Sequence, residues 1–146
     1  MKIRVMTIKD YSDVYKLWLS CKGMGLNNLD DSEEGIKKFL NRNPDTCFVA
    51  ELDHKIIGAI LAGNDGRRGY IYHTSVAPEY QKQGIGKQLV DTAVNALKNI
   101  GINKTALVVF GKNENGNAFW EKQGFTERKD LIYRNKTINE FERIDT

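Results

Sequence analysis

Cysteine, histidine and proline are scarce in this chain of 146 residues, with two of each. Neither Cys21 nor Cys47 belongs to a C-x-x-C pair, and His54 and His73 are the only histidines available to help them. No metal centre is therefore expected, and both cysteines read as small buried thiols. Long apolar runs are also missing. The longest, IIGAILAG ending at Gly63, is far short of the roughly 20 residues a membrane-spanning helix needs. The opening MKIRVMTIKD has no apolar core of a signal peptide, so a cytoplasmic protein with no membrane partner is expected. Neither sign of charge dominates: 22 Lys and Arg face 19 Asp and Glu, a net charge of +3. The densest cationic cluster is Arg67-Arg68, and no basic stripe is interleaved with aromatics, so no nucleic-acid partner is expected. Repeats, low-complexity segments and linkers are absent. What remains is an ordinary globular composition, read as one domain over 1–146.

The periodicity alternates between strand and helix. IRVMT (3–7) reads as a short strand, followed by a helix start at Thr7–Asp10 and apolar residues Val14, Leu17, Trp18 and Cys21 at helical spacing. Gly23–Asp31 is a loop by its Gly and Asn content, and Ser32 can cap a second helix carrying Ile36, Phe39 and Leu40. Two strands, 47–53 and 55–64, flank an Asp53-His54 hairpin, and YIYHTSVA (70–77) is rich in β-formers. Ile85, Leu89, Ala93, Leu97 and Ile100 form the stripe of a long amphipathic helix that Gly101 closes. TALVVF (105–110) is apolar without alternation, as in a strand buried on both faces. Residues 115–123 read as a short helix, and Leu131–Tyr133 as part of a further strand pair. The order predicts a mixed α/β, or α+β, domain with a central sheet.

Between the strand at 70–77 and the long helix lies QKQGIGK, residues 81–87. Helix N-termini carry unpaired N–H groups and partial positive charge, and glycine lets backbone approach a phosphate closely. The loop is thus a candidate anion cradle; the alternative is a glycine turn with no ligand. Leu89 stands where the dinucleotide fingerprint needs its third glycine. Gln81 and Gln88 break the P-loop pattern.

The flanks narrow the choice. Val76-Ala77-Pro78 followed by Gln81-Lys82-Gln83-Gly84-Ile85-Gly86 resembles the central motif of the GCN5-related N-acetyltransferase (GNAT) superfamily, V-x-P and then [QR]-x-x-G-x-[GA]. Asn113, Gly116, Phe119, Trp120, Gly124 and Phe125 resemble its second motif, N-x-x-A-x-x-(F/L)-Y-x-x-x-G-F, with Gly116 and Trp120 departing from it. The DGRRG turn at 65–69 is similar to that of small bacterial YpeA-like members. The resemblance implies a mostly antiparallel sheet whose fourth and fifth strands splay around acetyl-CoA. It implies transfer of the acetyl group to a primary amine, on a small molecule or a peptide, by direct attack in a ternary complex.

Carried over residue by residue, it implies that Gln81, Lys82, Gln83, Gly84, Ile85, Gly86 and Lys87 cradle the pyrophosphate. Thr74, Ser75 and Val76 would line the pantetheine arm. Asn113, Asn117, Phe119, Trp120 and Lys122 would complete the cofactor site. The Val76 amide is the expected oxyanion donor. His73 is a candidate base, with Tyr72 or a water chain as rivals. Strand alternation sets Tyr70, Tyr72 and Thr74 on one face and Ile71, His73 and Ser75 on the other, leaving open which faces the acceptor. Many members place a Tyr at the position of Trp120, whose indole N–H is not an acid at neutral pH. Tyr133 or a water could replace that acid, or the thiol could leave unprotonated. Trp18, Met24, Leu26 and Tyr72 are expected around the acceptor. Asp30, Asp31, Glu33 and Glu34 either steer a cationic amine or serve a helix start. Arg67 and Arg68 either bind an acidic acceptor or form a solvated hairpin tip. Pairing as a homodimer is also expected. A non-catalytic acyl-CoA-binding sensor is the competing reading, and Trp120 is its support.

Overall fold

The computed structural model describes residues 1–145. Five strands form one sheet in the order of the chain: β1 (Lys2–Val5), β2 (Phe48–Leu52), β3 (Lys55–Asn64), β4 (Gly69–Val76) and β5 (Thr105–Ala106). The first three pairings are antiparallel, and β4 with β5 is parallel. Four helices flank the sheet: α1 (Tyr11–Ser20), α2 (Glu33–Arg42), α3 (Ile85–Asn99) and α4 (Glu114–Lys122). This is the expected mixed α/β class.

Local signals account for most of these boundaries. Thr7 donates its N–H to Asp10 Oδ2 at 2.9 Å, closing a 3-10 turn ahead of α1. Ser32 Oγ accepts the Gly35 N–H at 3.0 Å and caps α2. Asp53 and His54 both have positive φ (50° and 64°), the conformation a two-residue hairpin with the strand twist requires. At the end of α3, Ile102 N–H reaches Leu97 O at 3.0 Å around Gly101, a Schellman closure.

β3 is buried along nearly its whole length, because both faces of the sheet are covered. One face packs Val14, Leu17 and Trp18 of α1 and Ile36 and Leu40 of α2 against Val49, Ala59 and Leu61. The other packs Ile85, Leu89, Val90, Ala93 and Leu97 of α3 against Ala50, Ile60, Ala62 and Ile71. The apolar stripe of α3 is what holds the start of that helix, and hence residues 81–86, at the end of β4.

Two expectations fail at the C-terminal side. β5 is two residues long instead of six. Beyond Ala106 the side chains alternate, with Leu107 and Val109 half-buried and Val108 and Phe110 exposed, so only one face is covered. The stretch at Leu131–Tyr133 forms no strand and is exposed. The chain end docks elsewhere. Asn27 bridges Arg143 in antiparallel fashion, and Asn28 N–H bonds Glu142 O and Ile144 N–H bonds Leu26 O. Asp145 accepts the amides of Met24 (3.2 Å) and Leu26 (2.7 Å).

Candidate active site

β4 and β5 pair only at Gly69–Thr105 and Tyr70–Ala106. From Ile71 onward the β4 edge faces a gap, which is the expected splay. Successive residues of a strand send their N–H groups to opposite edges. The Ala77 amide donates to Ile57 O on the β3 side at 2.8 Å, so the Val76 amide points to the open edge. The hydroxyls of Thr74 and Ser75 are buried and have no hydrogen-bond partner among the described residues. The two hydroxyls lie on opposite faces of the sheet, and Trp18 Nε1 and Thr105 Oγ1 are buried without a partner in the same way.

The loop after β4 closes onto it. Gln81 Nε2 donates to Val76 O at 3.0 Å. Lys82 and Gly84 take positive φ (63° and 83°), and Gly84 is the N-cap of α3. No side chain caps α3 and no acidic residue sits in its first turn, whereas Ser32 and Asn113 cap α2 and α4. The amides that open α3, like those of α1, thus have no side-chain cap. Gly86 has a second reason to be glycine: a Cβ there would lie 3.2 Å from the Phe119 ring. Gln81–Gly84 are otherwise exposed, Ile85 is anchored in the core, and Lys87 is engaged in an exposed pair with Asp91 at 2.6 Å.

The residues of the second motif mostly make local contacts, and none of them is fully buried. Asn113 Oδ1 caps α4 through the Gly116 amide, and a Cβ at Gly116 would strike the Asn113 side chain. Glycine in place of the family's alanine therefore lets Asn113 fold over the first turn. Asn117 Nδ2 donates to Phe110 O and Asn113 O, tying α4 to the chain after β5. Trp120 stacks edge-on with Phe119 and Phe125 at 5.0 and 5.1 Å, a packing role that a bulky indole fills. Lys122 is exposed.

His73 lies on the α1/α2 face, half-buried. Its Nε2 meets Asp31 Oδ1 at 2.6 Å and its ring stands edge-on to Trp18 at 4.9 Å. Simple alternation does not hold here. Between the pairs Ile60–Thr74 and Ala62–Ile71, β3 has one residue and β4 has two, so Tyr72 and His73 form a β-bulge. Tyr72 packs on Phe39 of α2 and His73 on Trp18 of α1, so both side chains emerge on the same face.

The acceptor residues separate. Trp18 and Leu26 are fully buried, so they are core and not pocket wall: α1 packs its apolar stripe directly on the sheet. Met24 is half-buried against that core. Tyr72 is half-exposed and lines a cavity of about 430 Å³ with Phe39, Arg42, Arg68 and Tyr70. Burial first, then Asp30 and Tyr133, push its hydroxyl above the ordinary tyrosine value. Burial and Tyr133 do the same to Tyr70. Tyr133 is therefore a neighbour of Tyr70 and Tyr72. Tyr133 itself is exposed and lies outside any strand.

The charged candidates fall in different places. Asp31 is buried and engaged by His73 and by the Asn27 amide (2.8 Å), and Glu33 and Glu34 open α2. Arg67 and Arg68 sit on an exposed tip whose amides bond Asp65 Oδ1 at 2.8 Å each. Three features had no signal in the sequence: the His73–Asp31 pair, 42 residues apart; Cys21 Sγ at 3.5 Å from Val76 O; and a cavity joining Lys22, Lys112 and Arg143. Among the described residues no group of three or more His, Cys, Asp or Glu side chains could hold a metal, and no helix is long and apolar enough to cross a membrane.

Comparison with known proteins agrees with this geometry. An acetyltransferase of Sodalis glossinidius is 32% identical over 140 residues, 96% of this chain and 97% of its own. One of Pectobacterium atrosepticum is also 32% identical, with the same coverage. Among solved structures, the PaiA N-acetyltransferase of Thermoplasma acidophilum in complex with coenzyme A superposes with a TM-score of 0.72 at 22% identity, covering 83% of this chain and 86% of its own. AAC(6')-Iy in complex with the bisubstrate analogue CoA-S-monomethyl-acetylneamine gives 0.73 at 21%, covering 93% and 97%. The model of the acetyltransferase (GNAT) family matches residues 11–125. The chain is an N-acetyltransferase and belongs to the GNAT family.

Proposed function

We propose that the protein binds acetyl-CoA across the end of β4 and the start of α3 and transfers the acetyl group to a primary amine by direct attack. The observation that carries this is the open β4 edge. The Val76 amide points into it, the buried hydroxyls of Thr74 and Ser75 flank it on opposite faces of the sheet, and uncapped amides stand at α3 just beyond. Those residues fit the cofactor: backbone amides for the polar arm, amides and Lys82 for the pyrophosphate. Coenzyme A supplies the acetyl group as a thioester.

The chain then has three tasks. The Val76 N–H stabilises the negative charge that grows on the acetyl oxygen, a contribution of about 3–4 kcal/mol for one preorganised donor. His73 takes the proton from the acceptor ammonium. Asp31, held by the Asn27 amide, accepts from Nε2–H and leaves Nδ1 as the basic nitrogen, the usual logic of a base oriented by a buried carboxylate. The departing thiol needs no side-chain acid, because a thiol with a pKa of about 8.5 leaves tolerably as thiolate. Trp120 supplies packing instead. Two free thiols suit a reducing, cytoplasmic setting.

A titration of the protein with acetyl-CoA, followed by addition of amines, tests the reading. Binding with acceptor-dependent loss of the thioester is expected. Binding without turnover under any amine favours the sensor reading, which Trp120 supports.

A further inference from the structure

A cavity of about 460 Å³ opens between the start of the α1–α2 loop, the chain after β5 and the tail. Its walls are Lys22, Gly23, Phe110, Lys112, Asn113 and Arg143. Three cations thus converge with no carboxylate in the lining. None of them is in an ion pair among the described residues. Like charges gathered in one concavity repel each other and raise the local concentration of anions.

Three distant segments bring the cations together, and the third is fixed in place. Arg143 bridges Asn27, while Glu142 and Ile144 on either side of it bond Asn28 and Leu26. Asp145 is engaged by the Met24 and Leu26 amides instead of by Arg143. The cavity also adjoins the open edge of β4. Cys21, next to Lys22, touches Val76 O, and Asn113 opens α4 on the other side.

We propose that this cavity binds an anionic group, carboxylate or phosphate, on the molecule whose amine is acetylated. The guanidinium of Arg143 offers a bidentate fork and Lys22 and Lys112 offer point charges. The half-exposed Phe110 ring covers the carbons between the two ends of such a ligand. The loop acids do not line the cavity: Asp31 is engaged by His73, Asp30 accepts from Asn27 Nδ2 at 3.0 Å, and Glu33 and Glu34 sit in the first turn of α2. The acceptor class is then an amino acid, an acidic peptide or a phosphorylated amine, not a polycation. This inference rests on the reading that the amine reacts beside Val76.

Calorimetric titration of the full chain with acetyl-CoA comes first, and then, with coenzyme A present, titration with the dipeptide Ala-Glu, O-phosphoethanolamine, ethanolamine and cadaverine. Ala-Glu reports the carboxylate source and O-phosphoethanolamine the phosphate source. At least one of them is expected to bind about tenfold or more tightly than ethanolamine, as one charge-assisted contact allows. The Lys112→Ala, Arg143→Ala double variant is expected to erase that preference. Lys112→Arg is expected to keep it, and acetyl-CoA affinity is expected to stay unchanged in both. Equal binding of ethanolamine or cadaverine overturns the inference. So does a loss of acetyl-CoA affinity in the double variant, which would assign the cations to the cofactor phosphates. Failure of the unmodified chain to bind acetyl-CoA overturns the underlying reading; intact acetyl-CoA binding without anion preference overturns the cavity assignment alone.

Discussion

His73 Nε2 lies 2.6 Å from Asp31 Oδ1, joining the bulge of β4 to the loop that precedes α2. If this pair is a base and its orienter, His73→Gln lowers kcat/KM by about 100-fold or more, within the usual range for general-base catalysis. Acetyl-CoA affinity stays unchanged. Asp31→Asn gives a smaller loss, because Nε2 keeps a partner but loses the charge. Unaltered kcat/KM in both variants, with only a lower melting temperature, would reduce the pair to a packing link.

The glycine loop makes a separate prediction. Gly84→Val puts a β-branched residue at φ +83°, a cost of about 1–2 kcal/mol or more that falls on the N-cap of α3. Gly86→Val drives a side chain toward Phe119. Both variants are expected to keep the circular dichroism of the fold and to weaken acetyl-CoA binding by about tenfold or more, the loss of one charge-assisted hydrogen bond or its equivalent. Unchanged affinity would remove the loop from the cofactor site.

Trp120→Phe tests whether the indole acts chemically. An aromatic of similar packing is expected to retain transfer within a few-fold, since Phe119 and Phe125 still have a ring to pack on. Trp120→Tyr is expected to change the rate little. Transfer that appears only in Trp120→Tyr would mark the natural chain as a binder.

Acid sensitivity should arise at Asp10. Burial opposes its charge, but two bonds from Arg4 (2.8 and 2.9 Å) and one from the Thr7 amide outweigh this and hold its carboxyl below the ordinary value. The unfolded chain then takes up the proton first as pH falls. The contribution is complete above the ordinary carboxylate range and fades as pH drops through about 4 toward the lower folded value. Asp10→Asn is expected to lower stability at neutral pH by about 1–3 kcal/mol and to flatten the acid slope of the melting temperature. An unchanged slope would mean that other carboxylates set it.

Features set by neighbours in the chain were legible beforehand. The stripe of α3, the Ser32 cap and the Asp53-His54 hairpin each depend on a few adjacent residues. The motif at 76–86 was legible for the same reason, as was the splay it implies. The β4 bulge was not, because an extra residue leaves an alternating pattern looking intact while reversing the faces after it. Trp18 and Leu26 show a second limit: helical spacing marks an apolar face but not whether it meets the sheet or a ligand. TALVVF has the composition of a strand, yet only Thr105 and Ala106 find a ladder partner, since pairing depends on the remote edge of β4. The Lys22–Lys112–Arg143 cluster spans nearly the whole chain, and no local pattern encodes it.

The most direct test of acetyl transfer is the release of coenzyme A thiol from acetyl-CoA on addition of amines, with acidic, neutral and cationic acceptors compared. The protein's own thiols interfere little. Burial pushes the Cys47 thiol up to about 12 and also raises Cys21, so neither competes well for a thiol reagent. Acceptor-dependent release, fastest with acidic amines, is the expected result. Tight binding of acetyl-CoA with no release under any acceptor would contradict catalysis and leave a cofactor sensor.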